Sequence, residues 1–206
     1  VDFADVVFLA VKPQFLEGVL DEIKASVKED QIFISIAPGK TLQWFADKLG
    51  EKTKVIRTMP NTPAMVGEGM TALCVNELVT EEETALAVKL CNTFGKTEVI
   101  PERLMDAVVG VSGSSPAYVF MFIEAMADAA VADGMPRAQA YKFAAQAVLG
   151  SAKLMLETGK HPGELKDMVC SPAGTTIQAV RVLEEKGLRS AVIEAQLECV
   201  KKAKGM

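Results

Sequence analysis

Short apolar runs alternate with amphipathic segments through the first half of the chain. Residues 6–11 and 32–36 are apolar at almost every position, which is typical of strands that are covered on both faces of a parallel sheet. Shorter patterns of the same kind predict three more strands, at residues 55–59, 70–75 and 97–100.

The segments between these strands carry helical periodicity. Phe15, Val19 and Ile23 recur at positions i, i+4 and i+8, so they share one face of a helix. Helices are also predicted at residues 40–49 and 80–94. Because strands and helices alternate, the pattern predicts a doubly wound α/β sheet with right-handed crossovers.

After about residue 102 only helical patterns remain. The helix predicted at residues 116–133 is apolar on nearly every side, so it must be buried around almost its whole circumference. The other helices predicted in this half are too few to cover it, which predicts contact with a partner subunit. They lie at residues 137–158, 175–186 and 190–204.

Composition and charge narrow the classes of function. The 206 residues carry a formal net charge of −5, which argues against a nucleic-acid surface because such a surface needs a basic patch. No uninterrupted apolar run approaches the roughly 20 residues of a membrane span, so no membrane insertion is expected.

The cysteines indicate the compartment and give no sign of a metal site. They are scattered without a C-x-x-C pair, at Cys74, Cys91, Cys170 and Cys199, which indicates reduced thiols in a cytoplasmic protein. No group of histidine, cysteine and carboxylate residues has metal-ligand spacing, so no metal is expected.

A turn of small residues at 170–174 leads directly into the helix predicted from Thr175. The first N–H groups of a helix have no partner inside the helix, and the helix dipole adds about half a positive charge there. Such a site suits a carboxylate or a phosphate. The hydroxyls of Thr175 and Thr176 could add hydrogen bonds or supply a proton. The alternative is that Ser171 or Thr175 only caps the helix.

The carboxyl ends of the first two predicted strands form a second candidate site. Open α/β sheets bind ligands in the crevice at these ends, where small residues let a cofactor approach the backbone. The alternative is that both segments are ordinary loops. The candidate residues are Ala10, Val11, Lys12, Pro13, Ile36, Ala37 and Pro38.

Three further motifs indicate no chemistry by themselves. Residues 57–63 contain two prolines and Asn61, and they predict a rigid loop between strands. Residues 110–116 are similar to the G-x-S-x-G motif of serine hydrolases, but Ser114 occupies the last glycine position. His161 is the one histidine of the chain and is interpreted as a structural residue at a helix start.

Together these motifs resemble, in order and spacing, the pyrroline-5-carboxylate reductase family. The resemblance implies an α/β domain followed by an all-α domain: a partial dinucleotide-binding domain with an incomplete Rossmann-like parallel sheet at residues 1–102, and a helical domain for dimerisation and substrate binding at residues 103–206. It also implies reduced NADP or NAD as the cofactor, and a homodimer or a higher homo-oligomer of dimers. The matching segments are residues 10–13, 57–63, 113–118, 161–162 and 171–179.

The same resemblance implies a reaction and assigns roles to residues. Hydride transfer from nicotinamide to the C=N carbon of 1-pyrroline-5-carboxylate would give L-proline. Ser171, Gly174, Thr175 and Thr176 would bind the substrate, whose carboxylate would accept hydrogen bonds from backbone N–H groups. Thr176 would be the catalytic residue, with its hydroxyl near the ring nitrogen that gains a proton. Because threonine is a poor acid, it would orient or relay this proton.

The chain departs from that family in one respect. The family begins with a strand and a G-x-G-x-x-G phosphate loop, and this sequence contains no such motif. By the size of a βαβ unit, on the order of 60 residues would be absent. Two alternatives therefore stay open. One is another dehydrogenase with a Rossmann domain and a helical domain, such as a 3-hydroxyacid dehydrogenase, which would use a lysine as acid or base. The other is an inactive dimerisation fragment.

Overall fold

A computed structural model of the protein describes residues 1–205 and contains a five-stranded sheet. The strands lie side by side in chain order. They are β1 (Val6–Leu9), β2 (Ile32–Ser35), β3 (Lys54–Met59), β4 (Gly69–Val75) and β5 (Gly95–Val99).

The sheet is mostly parallel, with one antiparallel pair. β1, β2 and β3 run parallel to one another, β4 runs antiparallel to β3, and β5 runs parallel to β4. The antiparallel step follows from the connection at residues 60–68, which holds only the 3-10 turn Thr62–Val66. A parallel return needs a crossover of about a dozen residues or more. The Rossmann-like α/β fold predicted from the sequence is confirmed, and the direction of β4 is the difference from an all-parallel sheet.

Three α-helices belong to the strand-containing part, and the others follow β5. The helix predicted at residues 137–158 coincides with α6 (Arg137–Thr158), whereas only the start of α7 (Pro162–Val169), at His161, was predicted from the sequence. The helices are α1 (Pro13–Ile23), α2 (Leu42–Leu49), α3 (Glu81–Cys91), α4 (Met105–Val108), α5 (Ser115–Ala132), α6 (Arg137–Thr158), α7 (Pro162–Val169), α8 (Thr175–Glu185) and α9 (Leu188–Lys204).

Helices cover both faces of the sheet. Phe33 of β2 is fully buried in a cluster with Leu16 of α1 and Phe45 of α2. The side chain of Ile34 points to the opposite face because successive strand residues alternate, and there it packs in a cluster with Ala87 of α3. This double coverage explains why the sequence of β2 is an almost continuous apolar run.

β4 and β5 meet at a pair of glycines. Gly69 and Gly95 are partners in the parallel register of the two strands. A Cβ atom on Gly95 would lie 2.0 Å from the carbonyl oxygen of Gly69, so no side chain fits there unless the backbone moves. The other residues of β5 are half-buried or exposed.

The chain separates into two compact units. One comprises Val1–Pro116 together with the C-terminal residues from Gln196, and the other comprises Ala117–Ala195. The first unit therefore contains the sheet, α4 and the end of α9. The domain boundary predicted at residue 102 stays a prediction.

A π-helical turn, Val109–Gly113, follows α4 in the first unit. The side-chain amide of Asn61 ties this turn to the sheet: Nδ2 donates to the carbonyl oxygen of Ser112 at 3.0 Å, and Oδ1 accepts from the backbone N–H of Met70 at 2.8 Å. Asn61 thus holds two segments together at the end of β3. Neither the π-turn nor this contact was predicted from the sequence.

α5 exposes much of its apolar surface. Only Ala127 of this helix is buried within the described chain, whereas Phe120 and Met121 are 64% and 70% exposed. By length and composition alone, the helical segment Glu102–Ala132 would also be able to cross a membrane, although core helices of soluble proteins pass the same test. The segment meets this criterion although polar residues interrupt its apolar positions. An exposed apolar area of this kind indicates an interaction surface.

Candidate functional site

The two predicted cofactor segments lie together at one edge of the sheet. β1 and β2 are parallel, and their last residues, Leu9 and Ser35, are register partners. The backbone N–H of Ile36 donates to the carbonyl oxygen of Leu9 at 3.3 Å. Residues 10–13 and 36–38 therefore leave the sheet side by side, at the carboxyl ends where α/β sheets bind ligands.

The first of these segments leads into α1. Lys12 is the N-cap residue of this helix and makes no side-chain cap, and Pro13 is its first residue. Ala10 and Lys12 are exposed, and Val11 and Pro13 are half-buried. A ligand can approach this backbone directly, while the ring of Pro13 fixes the start of the helix.

The second segment is supported from behind by buried hydroxyl groups. Ser35 Oγ accepts a hydrogen bond from the backbone N–H of Ala37 at 3.2 Å. Thr58 Oγ1 donates to the carbonyl oxygen of Ser35 at 2.9 Å. Both hydroxyl-bearing residues are buried, and paired buried polar groups of this kind specify one backbone path.

An ion pair that the sequence analysis did not identify lies at the other end of this loop. Arg57 of β3 is 6% exposed, and its Nη1 is 3.0 Å from Oε1 of Glu102. The same carboxylate oxygen accepts a hydrogen bond from the backbone N–H of Leu42, the first residue of α2, at 2.7 Å. Arg57 falls in the strand predicted at residues 55–59 as well as in the loop motif at residues 57–63, and the structure places it in β3. A basic residue inside a buried strand needs a partner, and this was the signal that could have found the pair.

The turn at residues 171–176 lies in the second unit and starts α8. Gly174 is the N-cap residue, and no side chain caps the helix. Neither Ser171 nor Thr175 acts as the cap, so the structure does not support the alternative interpretation of this motif. The first turn of α8 contains no acidic residue. Its first N–H groups, which include those of Thr175 and Thr176, therefore have neither a capping side chain nor an acidic residue in the same turn.

The backbone of this turn is constrained. Gly174 donates its N–H to the carbonyl oxygen of Ser171 at 3.1 Å. Within residues 1–205, Ala173 is the only residue other than glycine with a positive φ, at 57°. A Cβ atom on Gly174 would lie 2.3 Å from Ser171 Oγ, so the serine hydroxyl fills the space beside the glycine. Strained backbone of this kind concentrates at functional sites.

The hydroxyl groups of the turn differ in environment. Thr176 is half-buried, whereas Ser171 and Thr175 are exposed. Within the described part of the chain, none of these hydroxyls takes part in a hydrogen bond. The Thr176 hydroxyl is therefore available to a ligand at the start of α8.

Two other chemically capable side chains have structural roles. His161 is the N-cap residue of α7, and its Nδ1 accepts the backbone N–H of Gly163 at 3.1 Å. Its interpretation as a structural residue at a helix start is confirmed. Burial raises the pKa of the Cys74 thiol to about 12, and the nearby Glu102 carboxylate adds to this effect. Cys74 therefore remains a neutral thiol at physiological pH and is a poor nucleophile.

Two known protein families match separate segments of the chain. Residues 102–206 match the family described as pyrroline-5-carboxylate reductase dimerisation. Residues 1–39 match the family described as NADP oxidoreductase, coenzyme F420-dependent.

Relatives with similar sequences share one name. The pyrroline-5-carboxylate reductase of Escherichia coli (strain K12) is 64% identical over 200 residues, which cover 97% of this chain and 74% of that protein. The pyrroline-5-carboxylate reductase of Methanosarcina acetivorans is 48% identical over 201 residues, which cover 98% of this chain and 74% of that protein.

Solved structures that are similar to this chain carry the same name as these relatives. The pyrroline-5-carboxylate reductase from Coxiella burnetii has a TM-score of 0.92 and 37% identity, and the match covers 99% of this chain and 76% of that one. The pyrroline carboxylate reductase of Plasmodium falciparum, solved with NADP bound, has a TM-score of 0.91 and 31% identity over 99% of this chain and 78% of that one. The likeness in fold and in sequence thus extends over almost the whole chain.

Proposed function

The chain belongs to the pyrroline-5-carboxylate reductase family, and on this premise we propose that it reduces 1-pyrroline-5-carboxylate to L-proline with NADPH or NADH. The observation that carries the proposal is the 64% identity to the Escherichia coli reductase over 97% of this chain. The same identity favours a reaction at a C=N bond over the 3-hydroxyacid dehydrogenase alternative.

The carboxyl ends of β1 and β2 fit the nicotinamide side of the cofactor. The two strand ends are adjacent, and Ala10 and Ala37 keep the side chains there small enough for close approach to the backbone. When bound, the reduced nicotinamide supplies the hydride. We assign no phosphate contact to these segments, because the sequence contains no G-x-G-x-x-G motif. The residues assigned to this site are Ala10, Val11, Lys12, Pro13, Ile36, Ala37 and Pro38.

The N-terminus of α8 fits the carboxylate of the substrate. α8 is 11 residues long, so its dipole places about half a positive charge at this end. The N–H groups of Thr175 and Thr176 can donate to a carboxylate without displacing a capping side chain. Gly174 and Ser171 shape the turn that presents these donors. The chain itself supplies no competing anion in the first turn.

The Thr176 hydroxyl is the group that we assign to the ring nitrogen of the substrate. It is half-buried and makes no hydrogen bond within residues 1–205. It can orient the C=N bond and relay a proton, whereas its acidity is too low for it to be the proton source. The main contribution of the protein is then to bind and orient the two reactants.

We propose that a second copy of the chain covers the exposed face of α5 in a homodimer. The match to a dimerisation family includes this helix, and its exposed aromatic and methionine side chains form an apolar surface that a soluble monomer rarely keeps. The family match also includes α8 and α9, which line an apolar groove of about 540 Å³ together with Lys166; the groove residues include Val180, Leu183, Leu188, Val192 and Ile193. Four free cysteines agree with our proposal of a cytoplasmic enzyme.

A direct assay tests the proposed activity. Full-length protein is mixed with 1-pyrroline-5-carboxylate and either NADPH or NADH, and oxidation of the cofactor and formation of proline are measured together. We expect both to proceed at equal rates. A 3-hydroxyacid with the oxidised cofactor serves as the substrate control. Turnover of that substrate, without proline formation from 1-pyrroline-5-carboxylate, would contradict the proposal.

A further inference from the structure

The loop between β2 and α2 is fixed at both of its ends. At its start, the N–H of Ala37 is bound by Ser35, which is in turn bound by Thr58. At its end, the N–H of Leu42 is bound by Glu102. Residues 36–38, which form the start of this loop, are those proposed to lie at the nicotinamide side of the cofactor.

Glu102 does more than add a second cap to α2. Thr41 is the N-cap residue of this helix, and its hydroxyl already accepts the N–H of Trp44 at 3.0 Å. Glu102 satisfies a different N–H group of the first turn, that of Leu42, from a segment 60 residues further along the chain. A carboxylate at a helix N-terminus is favoured by the helix dipole. The contact therefore fixes the start of α2 relative to the sheet.

Arg57 holds that carboxylate in place. Glu102 is half-buried, and Arg57 is buried on β3, directly before Thr58, which supports the other end of the loop. Two consecutive residues of one strand thus act on the two ends of one loop. A buried arginine left without its carboxylate is strongly unfavourable, so the pair has one dominant arrangement.

We propose that Arg57 and Glu102 are positioning residues for cofactor binding: their ion pair fixes the first N–H of α2 and thereby the path of the loop that carries residues 36–38. Neither side chain needs to touch the cofactor or the substrate. The inference rests on the proposed cofactor role of residues 36–38. It predicts that loss of the pair weakens cofactor binding and leaves the site at the start of α8 unaffected.

The chain contains a spectroscopic reporter for this loop. Trp44 is its one tryptophan, and it lies in the first turn of α2. Lys40 Nζ, from the end of the loop, lies 4.6 Å from the centre of the Trp44 ring. A change in the path of the loop alters this cation–π contact, and the emission of Trp44 therefore reports on the loop in the absence of cofactor.

The test compares Glu102→Ala with a matched ion-pair variant, Glu83→Ala, in the full-length enzyme. Glu83 pairs with Lys54 at 2.7 Å and forms the capping box of α3, so its removal costs stability without touching the loop. We expect Glu102→Ala to raise the KM for NADPH about 10-fold, which corresponds to about 1.4 kcal/mol. The KM for 1-pyrroline-5-carboxylate and the kcat at saturating NADPH should change less than about 2-fold. Trp44 emission should shift in Glu102→Ala and stay unchanged in Glu83→Ala.

A second variant keeps the test decisive if Glu102→Ala fails to fold. Glu102→Gln keeps an oxygen acceptor for the Leu42 N–H and loses the charge, so an intermediate KM for NADPH is expected. Unchanged Trp44 emission and an unchanged KM for NADPH in both Glu102 variants would overturn the inference. Shifted emission with an unchanged KM would overturn the cofactor role of residues 36–38, while the wild-type rate of proline formation separately reports the proposed activity.

Discussion

Replacing Thr176 with alanine removes one hydroxyl from the proposed substrate site and leaves the backbone donors of α8 in place. In the described chain this hydroxyl has no hydrogen-bond partner, so its loss breaks no internal contact. The free energy of unfolding should therefore change by at most about 1 kcal/mol, the central value for point substitutions. Any large effect must then come from the interaction with the substrate.

The expected effect on catalysis follows from the strength of one hydrogen bond. A hydrogen bond to a charged group contributes roughly 1.5–3 kcal/mol. Because about 1.4 kcal/mol corresponds to a factor of 10, kcat/KM for 1-pyrroline-5-carboxylate should fall on the order of 10- to 150-fold. Steady-state kinetics at saturating NADPH measure this fall, and urea unfolding measures stability in the same preparations.

Three companion variants separate the hydroxyl from the rest of the side chain. Thr176→Val removes the hydroxyl and preserves the shape, so it should match Thr176→Ala in kcat/KM. Thr176→Ser keeps the hydroxyl and should retain most of the activity. Ser171→Ala should be milder, because that exposed hydroxyl only fills space beside Gly174. Near-normal kcat/KM in Thr176→Ala would show that this residue is a structural part of the turn and that the site assignment is wrong.

Three further predictions concern stability and assembly. Ala173→Gly should raise the free energy of unfolding by up to about 1 kcal/mol in chemical denaturation, because glycine adopts the positive φ of 57° without the cost that alanine bears; a loss of stability would contradict the strain argument. Burial raises the pKa of Cys74 from its ordinary value of 9.0 to about 12, so the thiol ionises in the unfolded chain first, and stability should fall by up to about 1.4 kcal/mol per pH unit above roughly pH 9. Urea unfolding should show a steeper fall in the wild type than in Cys74→Ala, which keeps the buried Cys91 thiol with its raised pKa; parallel curves would refute the prediction for Cys74. Sedimentation at micromolar concentration should give a dimer, and replacement of Phe120 and Met121 by serine should weaken it; a stable wild-type monomer would contradict the proposed cover of α5.

Local signals made many elements of this fold predictable from the sequence. α6 runs over the predicted residues because Pro136 precedes it and Gly159 ends it in a left-handed conformation, and both signals are local. α7 is only eight residues long, which is too short for a clear period. The π-turn is contacted by Asn61, which lies 51 positions before its hydrogen-bond partner Ser112. No local pattern carries that information.

The candidate sites also differ in whether local sequence patterns or long-range contacts define them. The turn before α8 could be recognised because its small residues and threonines are consecutive, and the adjacency of residues 10–13 and 36–38 followed from the rule that parallel strands end at one edge. The Arg57–Glu102 pair joins residues 45 positions apart, and only the folded sheet brings them together. The sequence also could not show that α8 lacks a side-chain cap, because Ser171 and Thr175 are both residues that commonly cap helices.

The glycine pair between β4 and β5 has a consequence for how this protein can vary. In most sheets the register depends on which side chains face the core. Here the close contact between Gly69 and Gly95 adds a constraint from backbone shape. The exposed side chains of β5, Lys96 and Glu98 among them, contribute little to that constraint and can therefore vary in charge and size. The edge strand β5 is therefore a suitable place to attach a label or a tag. Substitutions at Gly69 or Gly95, in contrast, should usually destabilise the sheet.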